Sequence, residues 1–338
     1  MANNVNKKQQ EKLSRSAVML AKLDLSKDER LTRTPIETGR ISHFFSSFKK
    51  NYSELMLANL LLMVFLIPAL VIIFYLTPTT ITAGNASLDF NGEMGLGFGG
   101  RYETSQGLMN IYNAYEMMFL FLIPCFSLFG IGMAGLYYCC RNVLWGVPIK
   151  IRVHFFRGIK KRWAEYLLAF TYLGGVIAMV GCSILEYMKH ALYGTANAGH
   201  WVFMIVSVLL MLLSTMYLMV SLPMEMSFRY KFKSVVKNSL ILNLTMGVLV
   251  LILIVVLALP LLLMLNSFMR TILFVAIAMI GFAFYVLADV ALAHNMFDTT
   301  IIPLFEHDQK RREREEQKER QRQNRAEKSA KARKKKRK

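Results

Sequence analysis

LMLANLLLMVFLIPALVIIFYL, residues 55–76, runs for twenty-two positions without a charged side chain. Wound as an α-helix at about 1.5 Å per residue, it spans the ~30 Å hydrocarbon core of a bilayer. Five more runs of the same kind follow, at 117–140, 166–185, 201–224, 239–265 and 271–293. In lipid every backbone N–H and C=O must find a partner within the protein, which a helix provides along its own length. The expected fold class is therefore all-α: a polytopic membrane protein with six transmembrane helices, arranged as three hairpins.

The connecting segments orient the chain. Of the 41 Lys and Arg, 38 fall before the first span, in the second and fourth loops, and after the sixth span. The three outer loops hold one each: Arg101, Lys189 and Arg270. Positive charge is retained on the cytoplasmic side, so both termini are expected to be cytoplasmic, in keeping with an even number of spans. Five or seven spans would carry the 16 basic residues of the tail across the membrane. The formal net charge of +19 thus reflects topology and a basic tail, and is not in itself a nucleic-acid signal. Residues 1–50 are polar and charged and show no cleavable signal peptide, so the first span is expected to serve as an uncleaved insertion signal.

The expected organisation is a cytoplasmic arm at 1–43, a six-helix membrane domain at 44–298 and a charged cytoplasmic tail at 299–338. The arm carries one short apolar stretch, Ala17 to Ala21, and the Thr34-Pro35 step should end any helix there. A weak internal repeat marks the membrane domain. Phe44-Phe45 is followed by Lys49-Lys50, Tyr52 and Glu54, and Phe155-Phe156 by Lys160-Lys161, Trp163 and Glu165, in the same register. A fainter copy, Phe232 to Asn238, precedes the fifth span. Each reads as an amphipathic cytoplasmic segment lying in the interface, with Lys49, Lys50, Lys160 and Lys161 placed to contact lipid. Such repeats occur in transporters, and also arise because interfaces favour aromatics and Lys.

The first outer loop, 77–116, is Gly-rich and expected to be flexible. Its Gly95 to Gly100 stretch has neither the preceding strand nor the Lys of a phosphate loop. The tail from Glu306 has almost no apolar residues and ends in a polybasic cluster that includes Lys334, Lys335 and Lys336. Three readings of it stand: a solvated tail that aids topology, adhesion to anionic lipid, or electrostatic binding of RNA or ribosomes. No aromatic is interleaved for base stacking, which counts against specific nucleic-acid recognition.

Inside the spans, prolines at 68, 124, 223 and 260 are expected to kink their helices. Gly130, Gly132, Ala134 and Gly135, and then Gly174 and Ala178, are candidate helix-packing residues, with small side chains at the spacing that lets helices approach. Cys125, Cys139, Cys140 and Cys182 read as apolar fillers. Glu54, Glu116, Glu165, Glu186 and Glu225 lie at span ends, within expected reach of water. Asp289 is the deepest acid; with His294 it is the candidate functional polar pair, and its expected partner is a loop Arg or Lys. Asn59, Ser127, Ser214, Thr215, Asn243 and Thr245 are candidates for hydrogen bonds between helices. No Walker motif, zinc-binding His pair or nucleophile elbow is present, so no enzyme is expected and no catalytic, cofactor-binding or metal-ligating residue is nominated.

The residues Leu122-Ile123-Pro124, Gly130, Gly132, Ala134 to Tyr138 and Arg141, followed by Phe155 to Trp163, resemble the YesL family of bacterial integral membrane proteins. So do Phe44 to Pro68, Pro223 and Phe228 to Asn243, so the likeness covers about 40–295 in patches. The chain departs from that pattern in its long first outer loop and its charged tail. The resemblance implies a multi-pass protein of the bacterial plasma membrane, linked to carbohydrate uptake, with ABC sugar-transporter subunits as partners besides the bilayer. It supplies no site residues. Three functions follow as expectations: an accessory to carbohydrate ABC uptake or its sensing, an autonomous channel or carrier, or a membrane scaffold with a lipid- or RNA-binding tail.

Overall fold

A computed structural model describes residues 40–91, 105–228, 232–297 and 299, and these are helical with no strand among them. Helix α1 is Arg40–Lys50; α2 is Tyr52–Val71, continued by a π-turn, Ile72–Leu76, into α3, Thr77–Asn91. Then come α4, Ser105–Leu144; α5, Ile151–Leu192; α6, Ala198–Ser227; and α7, Phe232–Ala258. A 3₁₀ turn, Leu259–Leu265, leads to α8, Ser267–Ala276, which passes through a second π-turn, Ile277–Gly281, into α9, Phe282–Met296. Six of these stretches are long and apolar enough to cross a membrane: Tyr52–Gly84, Gly107–Leu144, Ile151–Leu192, Ala198–Ser227, Lys233–Ala258 and Phe268–Met296. The chain is a multi-pass helical membrane protein. By its contacts it divides into a body, residues 28–293, and a second unit that includes His294 onward.

The 77–116 segment is largely helical rather than loop. α2 and α3 continue to Asn91, and α4 begins at Ser105, leaving 92–104 outside the described residues along with the tail and the arm. Within the extension Thr79, Thr80 and Thr82 satisfy their own hydroxyls on carbonyls one turn back, and Asn110 Nδ2 donates to Gly84 O across the two helices.

Breaks in the spans follow local causes, and only some are prolines. Pro260 ends α7, because its ring and missing N–H stop a helix from continuing. Asn266 then starts α8 by accepting from the N–H groups of Phe268 and Met269. Pro68 is followed by the first π-turn, whereas Pro124 and Pro223 sit inside unbroken helices. Among the described residues, Arg162 and Met246 have non-helical backbone inside a helix.

The core gathers around α4. Every residue from Gly132 to Leu144 is buried, ringed by Leu55, Ala58 and Leu62 of α2, Phe155 and Tyr166 of α5, Leu218, Leu222 and Met226 of α6, and Ala283, Val286, Leu287 and Val290 of α9. The tightest pair is α4 with α5, joined by the basic second loop. A Cβ on Gly130 would lie 2.6 Å from Phe170 Cβ and 2.7 Å from Tyr166 O. One on Gly158 would lie 2.5 Å from Tyr138 Cβ and 2.8 Å from Ala134 O. Gly135 meets Phe155, Gly132 meets Leu62 and Phe65, and Gly174 meets Phe126 and Ile123, all at 2.8–3.4 Å. Ala178 is buried on α5. Cys125, Cys139 and Cys140 are buried free thiols and Cys182 is partly buried.

Candidate functional site

The half of the body that holds the Lys49 and Lys160 segments, here the basic end, contains a buried polar cluster built on α4. Tyr137, Tyr138 and Arg141 project from its last turns. Tyr137 donates its hydroxyl to Asp289 Oδ2 of α9 at 2.7 Å, and its ring packs on that of Tyr166, centroids 5.4 Å apart. Tyr166, from α5, donates to Leu222 O of α6 at 2.8 Å. Three helices are thus linked to α4 through two phenols, which suit a membrane interior: a large apolar ring with one polar atom to satisfy.

Two arginines close the end of α6. The last carbonyls of a helix have no intrahelical donor and carry the negative end of its dipole, so cations are favoured there. Arg141 Nη1 donates to Met226 O at 2.7 Å, and Arg162 Nη2 donates to Phe228 O at 2.9 Å. Arg141 is held for this by Asn142 Oδ1, 3.1 Å from Nη2, and by the rings of Tyr138 and Trp145, each with its centroid 4.5 Å from Cζ. Arg162 is aimed by the backbone break at its own position and by Glu165, which accepts from Nη1 at 2.8 Å.

Two acids lie in this cluster. Asp289 is paired with a tyrosine rather than a loop Arg or Lys, which corrects the expected partner; its Oδ1 accepts no hydrogen bond. Glu225 does not reach water as a span-end residue should. It is buried at the capped end of α6, within electrostatic range of Arg162 and Glu165, and its Oε2 is without a hydrogen-bond donor. Nearby on α7, Asn238 is fully buried with neither amide atom bonded, next to Ser239, whose hydroxyl meets Met224 Sδ at 3.9 Å. Such a cluster ties helix ends together, and its free carboxyl oxygens can also accept a proton or a small cation. No group of three or more metal-ligating side chains occurs among the described residues.

A second clasp sits one helix away. Asn59 of α2 is fully buried and reaches into the π-turn before α9. Its Nδ2 donates to Ile277 O at 3.0 Å and Ala278 O at 2.7 Å, and its Oδ1 accepts from Ala283 N at 2.9 Å. A side chain inserted into the backbone ladder is the physical cause of that π-turn. Ser127 with Thr171 and Ser214 with Tyr172 also bond between helices, whereas Thr215, Asn243 and Thr245 donate to carbonyls one turn back in their own helices, those of Met211, Ser239 and Ile241.

At the opposite end, Lys189 is buried between Glu116 of α4 and Glu186 of its own helix. The rings of His190 and His200 lie tilted to each other with centroids 4.1 Å apart, where Asn197 and His200 form a capping box for α6.

Of the nominated residues, Gly130, Gly132, Ala134, Gly135, Gly174 and Ala178 lie in helix contacts, and Asp289 lies in the polar cluster. His294 belongs to the second unit, where its ring stands edge-on to Phe297 at 5.8 Å. Lys49, Lys50 and Lys160 are exposed and Lys161 is half-buried; Lys334, Lys335 and Lys336 lie outside the described residues. Tyr137, Tyr166, Arg141, Arg162 and Glu225 escaped nomination. The available signal was Tyr-x-x-x-Arg at a helix end, an aromatic and a cation one turn apart. The chain matches no protein-family model, no curated protein and no solved structure.

Proposed function

We propose that this protein is a YesL-like accessory component of carbohydrate ABC uptake or its sensing, in the bacterial plasma membrane, with both termini cytoplasmic. One observation carries the reading. The residues of the first stretch that gives the resemblance, Gly130 to Arg141, together with Phe155 and Gly158 of the second, are also those around which the body is packed. The distribution of 38 of 41 basic residues supports the orientation. In this reading the intramembrane polar groups fix helices against each other, and the protein acts on a permease through its surfaces. The test is uptake of labelled carbohydrates in the native host with and without the gene. A slowed initial rate for one carbohydrate class, at unchanged permease abundance, is expected; unchanged rates for all classes would refute it.

A second reading, an autonomous carrier, draws on Asp289 and Glu225, buried acids that each keep a carboxyl oxygen with no hydrogen-bond donor. It requires solute flux in reconstituted vesicles that is lost in Asp289→Asn or Glu225→Gln; silence of the wild type toward sugars and ions would remove it.

A further inference from the structure

The two amphipathic segments agree in three dimensions more closely than in sequence. The register that aligns Phe44 with Phe155 also aligns His43 with His154, and Asn51 with Arg162. Both segments are helical and both end on a residue of matching non-helical backbone. Asn51 has φ −116°, ψ 28° and Arg162 has φ −142°, ψ 24°; a span begins directly afterwards.

The faces agree as well. The first Phe of each pair turns inward: Phe44 meets Phe284 at 5.6 Å, and Phe155 meets Phe65 at 6.4 Å. The second turns outward, Phe45 57% exposed and Phe156 55%. Position 47 or 158 is buried, and Lys49 or Lys160, one turn beyond the outward Phe, is exposed. Just past each break stands an exposed aromatic, Tyr52 at 45% and Trp163 at 51%. Each copy thus offers an exposed lysine between two exposed aromatics, at the point where a helix enters the membrane.

We propose that these are two quasi-equivalent sites for the headgroups of anionic phospholipids, one at Phe45, Lys49, Lys50 and Tyr52 and the other at Phe156, Lys160 and Trp163. Three observations select this occupant. The segments run directly into spans, so their outer faces lie at the leaflet surface. Aromatic rings favour the headgroup level, where an apolar body and a polar edge are both solvated. The exposed lysines supply charge complementary to a phosphate. The break at Asn51 or Arg162 separates each segment from its span, and the lysine and two rings of each copy lie on either side of it.

The experiment uses the full chain in nanodiscs of phosphatidylcholine containing a minority of phosphatidylglycerol, with retained lipids counted by native mass spectrometry. Wild type should retain phosphatidylglycerol selectively. Neutralising lysines by Lys49→Gln, Lys50→Gln and Lys160→Gln should weaken that preference about fivefold per lysine, while Lys49→Arg with Lys160→Arg should preserve it. Neutralising the tail by Lys334→Gln, Lys335→Gln and Lys336→Gln should leave the two-site part in place. Wild-type selectivity in the triple Gln variant, or its complete loss in the tail variant, would overturn the proposal. An independent readout needs no lysine variant: the part of the tryptophan fluorescence missing in Trp163→Phe should be quenched more by brominated anionic than by brominated zwitterionic lipid. Equal quenching would overturn the second site.

Discussion

Asn59 makes three hydrogen bonds to one turn of a different span, with no water available to replace them. Side-chain hydrogen bonds between membrane helices average about 0.6 kcal/mol each, so Asn59→Leu is expected to cost about 2 kcal/mol by the same scale. The check is the thermal unfolding midpoint in mild detergent; a midpoint unchanged from wild type would mean that the π-turn stands without the clasp. The Tyr137–Asp289 pair makes a sharper test, because its value depends on both partners. Tyr137→Phe leaves a buried carboxyl without its donor and should cost about 1–3 kcal/mol. In an Asp289→Leu background the same change should cost close to nothing. Additive losses in that double-mutant cycle would show that the hydroxyl's contribution does not run through Asp289.

Glycines set how closely α4 and α5 approach, and their surroundings predict opposite outcomes for one substitution. Gly158→Ala places a methyl 2.5 Å from Tyr138 Cβ and 2.8 Å from the Ala134 carbonyl, neither of which can swing away. A loss of about 1–3 kcal/mol is expected from overpacking. Gly175→Ala, on the same helix, meets nothing within 4 Å and should be neutral or slightly stabilising. Equal effects in the two variants, read from unfolding in detergent, would contradict the packing described. The same scale shows what the sequence made legible. Spans announce themselves through local composition, so all six were readable from hydropathy. The amphipathic segments before the first and third spans were readable too, since their signal lies within a dozen residues, whereas the fainter copy from Phe232 is continuous with α7. The cluster was not, because its members come from remote parts of the chain: Tyr137 and Asp289 are 152 residues apart. A charged partner for Asp289 follows from counting charges, whereas a tyrosine carries no charge to be counted. Glu225 looked exposed for a related reason. Its place at a span end says nothing of the two arginines that draw that end into the body. The 77–116 segment read as a loop from its glycines and polar residues, but most of those glycines lie in 92–104, outside the described residues, and the helices continue on either side, to Asn91 and from Ser105.

For the whole molecule, two claims extend beyond the packing: its orientation and its partner. Cys125, Cys139 and Cys140 are buried, and replacing the partly buried Cys182 with Ser gives a low background for accessibility labelling. Lys49→Cys should resist an impermeant thiol reagent in intact cells and react after permeabilisation, whereas Tyr193→Cys should react in intact cells; the reverse pattern would invert the assigned topology. The proposed partner rests on the YesL resemblance, whose residues lie outside the tail, so association should survive changes to the tail. The most direct measurement is isolation of the tagged protein from its native membranes in mild detergent, with its companions identified by mass spectrometry, beside a variant ending at Phe305. Carbohydrate-permease or binding-protein subunits recovered with both forms are the predicted result. Recovery of the protein alone from membranes that contain those subunits would contradict the accessory role.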